Sequence, residues 1–242
     1  MTELDLLNLS NISIFKPKEK VLVKREPKSP AQKLLISMRV TSNCRYRAAI
    51  RLKMSNQASF IATTLLSLGL ILIPLFQNAG IKLSFPSSVI NSMQLFLAVS
   101  VLVYSVTMSK AGYEVRAEKL NTCGDNLKVL ARKLDDDLLA EREPDLKGYN
   151  KRYASVVASS ENHDDLDYLI TKLDMVRDYH IEGLKRFVLT VKSICGLYFM
   201  YVVPFFMISA ELLFFTDMIG VTQFYPASFS VASSVSPTSI SP

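Results

Sequence analysis

ASFIATTLLSLGLILIPLF, residues 58–76, runs for 19 residues without a charged side chain. As a helix it measures about 28 Å, enough to cross the hydrocarbon core of a bilayer. A second uncharged run, VINSMQLFLAVSVLVYSVTMS, covers residues 89–109. Only QNAGIKLSFPSS separates the two, and its Gly80 and Pro86 suit a tight connection. The pair reads as a transmembrane helical hairpin.

A third apolar run spans 187–215 and contains Lys192 and Glu211, with 18 residues strictly between them. That separation, about 27 Å of helix, lets both charges reach opposite interfaces, so a third span is expected over about 188–215. The competing reading places Lys192 or Glu211 on an ion path. Pro204 is expected to kink this segment.

Mean hydropathy is +0.22 over 242 residues. Residues 1–30 hold no apolar stretch long enough for a signal peptide. The three cysteines, Cys44, Cys123 and Cys195, are too few and too scattered for a disulfide framework. Lys and Arg set the expected orientation. Residues 1–57 hold 12 and residues 110–187 hold 14, whereas the hairpin linker holds only Lys82 and the tail beyond 215 none. By the positive-inside rule the N-terminus and 110–186 are cytoplasmic, and the hairpin tip and C-terminus lie outside.

The polar parts also have a pattern. Tyr113, Leu120, Leu127 and Leu134 recur every seven residues, which predicts an amphipathic helix over 110–143 continuing the second span without a break. Leu166, Leu169, Leu173, Val176 and His180 form a stripe over 165–187. The two helices are expected to make an antiparallel cytoplasmic hairpin, and the heptad spacing also suits self-association. Residues 1–40 read as a basic, flexible segment suited to anionic lipid or nucleic acid, and 217–242 as a Ser/Pro-rich tail. In the spans, Ser59, Thr63 and Ser67 follow at intervals of four. Asn91 and Ser105 share a seven-residue register. Such stripes pack helices closely or face water in an oligomeric pore.

ENHDDLDY, residues 161–168, sets a histidine among four acidic residues. A metal site would need further convergent ligands, and an enzyme would need a nucleophile or a second base. No zinc spacing, P-loop or G-x-S-x-G accompanies the motif, so neither a metal, a cofactor nor a catalytic residue is expected. A helix start fits, with Asn162 or Asp164 as N-cap and acidic side chains facing the positive end of the helix dipole.

Tyr153, Asn162, His163, Asp167 and Tyr168 match the pattern Y-x(8)-N-H-x-x-x-D-Y, and YRAAIRL stands at 46–52. With the two-span hairpin, these residues resemble the SLATT family, the SMODS and SLOG-associating two-transmembrane effectors. The similarity covers roughly 41–216, and is greatest to the version with a third C-terminal span found beside reverse transcriptases. The resemblance implies a non-enzymatic antiphage effector of the bacterial inner membrane. It would form a homo-oligomer and breach the bilayer on a nucleotide or nucleic-acid signal from a reverse transcriptase or nucleotidyltransferase. The motif residues would fix the cytoplasmic helices or their subunit contacts, with Asn162 as a cap. The alternative is a membrane anchor that scaffolds a partner enzyme without forming a pore.

Overall fold

The computed structural model describes residues 29–225 except 177 and 180. Among them the chain is all-α, with no strand. Helix α1 runs Pro30–Asn78, α2 Ser87–Ala111, α3 Tyr113–Leu139, α4 Leu146–Ala158, α5 Asp165–Asp174, α6 Gly183–Phe199 and α7 Val202–Met218. The first two long rods, α1 and the α2–α3 pair, are long and apolar enough to cross a membrane, and α6 with α7 would make a third crossing if the bent pair counts as one span.

Helix α1 starts with Pro30 behind a capping box in which Ser29 and Gln32 satisfy each other's backbone donors. It therefore begins inside the segment that composition reads as flexible. Its 49 residues make a rod of about 73 Å. The apolar patch around Leu34 and Leu35 is core: with Met38 it packs on Leu130, Ala131 and Leu134. Residues 1–28 and 226–242, which include most of the basic segment and of the tail, lie outside the described residues, as does His180.

The expected hairpin of 110–143 with 165–187 does not form. Helix α3 instead lies antiparallel along the polar half of α1. Leu134 packs beside Met38, and Ala117 and Leu120 pack on Ala48, Ala49 and Leu52. Small residues let the two backbones close up: the Ser42 hydroxyl donates to the Gly124 carbonyl at 2.8 Å. A Cβ at Gly124 would sit 3.0 Å from the Tyr46 ring. The heptad read from the sequence is thus used inside one chain. Its partner stripe on α1 shows no hydrophobic period, because it is built from alanines among arginines.

One residue interrupts the junction of α2 and α3. Gly112 adopts φ +57°, a left-handed conformation in which a side chain is strained, and closes α2 while opening α3. Helix α4, not anticipated from the sequence, covers the end of the α1–α3 pair through Tyr149 and Tyr153. Helix α5 stops at Asp174, and α6 begins afresh at Gly183. Between α6 and α7 the axis bends by 55°. The break at Met200 and Tyr201 lies just upstream of Pro204, whose ring has no N–H for the Met200 carbonyl and would clash with it.

Candidate functional site

Arg51 holds the centre of the polar layer. Its Nε donates to Asp167 Oδ1 and its Nη2 to Asp167 Oδ2, both at 3.0 Å. The same Nη2 stands 2.6 Å from Asp164 Oδ2. Asp167 has no exposed surface. It also accepts the Asp164 N–H at 3.1 Å, closing the capping box of α5. One carboxylate therefore caps a helix and clamps it to α1, 116 residues away in sequence. The N-cap is Asp164, not Asn162, which lies exposed in the preceding loop. Helix geometry explains the choice, because the N-cap must immediately precede the first helical residue, here Asp165.

Neighbouring turns of α1 repeat the device. Thr41 shares a 2.8 Å hydrogen bond with Tyr153 on α4. Arg45, 1% exposed, donates through Nη1 to the Glu161 carbonyl, and Arg47 pairs with Asp174. Arg116 of α3 reaches the Glu161 carboxylate at 2.9 Å. The loop 159–164 is thus fastened from both rods. Tyr46 donates to Asp125 at 2.6 Å; burial, reinforced by that carboxylate, pushes its phenol up to about 12.

Tyr153, His163, Asp167 and Tyr168 thus converge on one side of α1, spread over several turns rather than around a single pocket. His163 is half-buried beside Tyr168, with ring centroids 6.5 Å apart, and Tyr168 meets Tyr179 edge-on. Three polar atoms in this region, Arg45 Nε, His163 Nδ1 and Thr171 Oγ1, are buried with no hydrogen-bond partner. Arg47 and Arg51 lie in the YRAAIRL stretch and Arg45 just precedes it, but the sequence shows them as basic residues at the entry to the first span and not as partners of residues 161–174. Four carboxylates at 161–167 with no local cations were the available signal.

Burial, aided by the positive Arg45, holds the His163 imidazole below its ordinary value of 6.5. The folded state therefore favours the neutral ring. The unfolded chain takes up the proton first, so stability is complete above pH 6.5 and falls as acidification proceeds below it. His163→Gln is expected to lose this component. The difference in thermal midpoint between wild type and variant, measured in detergent across that range, should grow less favourable to wild type as pH drops. A constant difference would refute it.

In the spans the polar stripe divides. Ser59 is buried at the α1–α2 contact, accepting from Tyr104 at 3.1 Å and lying 3.1 Å from Met108 Sδ. Thr63 donates to the Ser59 carbonyl of its own helix at 2.8 Å. Gln77 donates to Asn91 at 3.2 Å near the hairpin tip, and Ser67 is half-buried. Asn56, Ser59, Thr63, Ser105 and Ser109, together with the apolar Phe60, Ile61 and Met108, line an open groove of about 610 Å³ between the hairpin helices.

The two charges of the third run do not stand at opposite interfaces as expected. Lys192 is exposed on α6. Glu211 is 5% exposed, with Oε1 unpartnered, and rests against Gly69, well inside the uncharged 58–76 run. Only a residue without a side chain leaves room there. The cause is local packing: Phe214, Phe215 and Met218 of α7 enter the core formed by Ile73, Phe85, Ile90 and Leu97, which draws the preceding turn onto α1.

Among the described residues no group of three His, Cys, Asp or Glu is placed to hold a metal. Fold and site define an all-α membrane protein in which a salt-bridged helical layer and the spans share the same continuous rods. The chain belongs to SMODS and SLOG-associating 2TM effector domain family 5, whose family model matches residues 27–211. It is accordingly a membrane effector of the type found in defence systems. No curated protein and no solved structure matches it.

Proposed function

We propose that the protein is the membrane-permeabilising effector of a bacterial antiphage system. It resides in the inner membrane with its polar layer and N-terminus cytoplasmic, and its hairpin tip and C-terminus periplasmic. A reverse transcriptase or a nucleotide-signal synthase supplies a nucleotide or nucleic-acid signal. The effector responds as a homo-oligomer that opens the bilayer. The cationic bias of residues 1–57 and 110–187 supports this orientation.

One observation carries the reading. The motif segment 161–168 is clamped by Arg51 to the same unbroken helix that continues into the first span. A ligand or partner that displaces α5 acts directly on a membrane-crossing rod, without a flexible joint between. The groove lined by Thr63, Ser105 and Ser109 supplies polar positions that oligomerisation would bring around a water path.

Ser105→Cys in a Cys195→Ser background tests the assembly, since Cys44 and Cys123 are buried. Oxidation should yield disulfide-linked dimers when the neighbouring genes are present and phage is added, and far fewer without phage. Recovery of a bound partner enzyme with no cross-link and no dye release from cells would favour the anchor role instead.

A further inference from the structure

Helix α6 has its polarity inverted for a helix in a soluble layer. The side toward α5 carries Thr190, buried Ser193 and Gly196, where a Cβ would lie 2.9 Å from Leu166. The opposite side exposes Leu184, Phe187, Val188, Val191, Ile194 and Tyr198. At 100° per residue these six cover an arc of about 120°, and Lys185 and Lys192 fall together along one edge of it. Helix α7, by contrast, is apolar on all sides except at Ser209, Glu211, Thr216 and Asp217.

Position separates the two helices as well. The start of α7 is tied to the base of the first span, where the Ser55 hydroxyl meets Met200 Sδ at 3.0 Å. Its end is tied to the hairpin tip, where Ser84 N–H donates to the Met218 carbonyl at 2.9 Å. Residues 200–218 rise about 27 Å, which already crosses the hydrocarbon. No depth remains for α6, which leaves α7 at 55° and meets α5 one turn of α1 below Ser55.

From this we infer that α6 is not part of a span but an interfacial helix, seated in the headgroup–acyl boundary of the leaflet on the polar-layer side. Leu184, Phe187, Val188, Val191, Ile194 and Tyr198 enter the acyl region. Lys185 and Lys192 reach anionic headgroups along their aliphatic stems, and α5 supports the helix from the aqueous side. The inference rests on the membrane reading above. It gives Lys192 a lipid phosphate as partner in place of an ion path, and makes α5, the helix bearing Asp167, sensitive to the lipid surface.

The chain contains no tryptophan, so an introduced one is a unique reporter. Phe187→Trp, Val191→Trp and Phe206→Trp proteins would be reconstituted in phosphatidylethanolamine–phosphatidylglycerol vesicles carrying quenchers either near the headgroup or at the chain end. Positions 187 and 191 should be quenched severalfold better from the headgroup end, and position 206, on the lipid-facing side of α7, from the chain end. Changing Lys185 and Lys192 to Gln should weaken shallow quenching at 191 while leaving 206 unchanged. Chain-end quenching at 191 would place α6 in the hydrocarbon and overturn the inference. So would no lipid quenching at 191 with emission that changes on dilution, the mark of a second copy covering the face. If 206 is unquenched too, the membrane reading itself has failed.

Discussion

Asp167→Ala is expected to cost about 3–5 kcal/mol, the usual penalty for leaving one member of a buried ion pair alone. The carboxylate is fully buried, accepts two guanidinium hydrogen bonds from Arg51 and also caps α5. Its removal leaves Arg51, whose side chain is 15% exposed, with only the outlying Asp164. Amide exchange in α5 should rise toward that of an unprotected segment, while the α1–α2 hairpin stays protected. Asp167→Asn keeps the shape and the cap but loses the charge, so it should fall between. Replacing Arg51 and Asp167 together by leucine should recover most of the loss, because no buried charge is stranded. Unchanged α5 protection in Asp167→Ala would show that the clamp is not what holds the layer.

Gly69→Leu should detach the third span. A Cβ at that position overlaps the Glu211 carboxyl and stands 3.0 Å from the Phe215 ring. The Phe215 ring cannot yield easily, since it is fixed with Phe214 and Met218 in the core shared with Ile73 and Phe85, and the buried Glu211 carboxyl has to swing aside. Gly69→Ala meets the same overlap and should cost about 1–3 kcal/mol, the range for overpacking a core. Glu211→Ala should relieve it, so the double variant should be more stable than the sum of the two single changes predicts. Protease access at the 200–201 break reads the detachment. Strict additivity of the two substitutions would mean that the contact does not exist in the membrane.

The spans at 58–76 and 89–109 were legible because an uninterrupted apolar run has few alternatives. The family was legible chiefly from the order of basic juxtamembrane helix, two-span hairpin and amphipathic helix, with Tyr153, Asn162, His163, Asp167 and Tyr168 and the YRAAIRL stretch adding to it. What the motif does was not. Asp167 finds its partner 116 residues upstream, and although Arg51 lies in the YRAAIRL stretch, nothing in a local window pairs the two. The same blindness hid the start of α1: Arg39 looks like part of a solvated tail until Asp135 is brought to it. Helix α4 was missed because its thirteen residues bury no side chain fully and its tyrosines work at the edge of the core. At Glu211, charge spacing matched the bilayer thickness for a straight helix, and the bend at Met200–Tyr201 removed the premise.

Membrane potential is the most direct readout of the central claim, that α5 governs the barrier through its clamp on a membrane-crossing rod. Cells carrying the gene with its neighbours would be loaded with a potential-sensitive dye and infected with phage. The account predicts collapse of the potential with the wild-type chain, and none with an equally abundant Asp167→Asn chain. Protection from phage with the potential intact, or the same collapse in both, would contradict it.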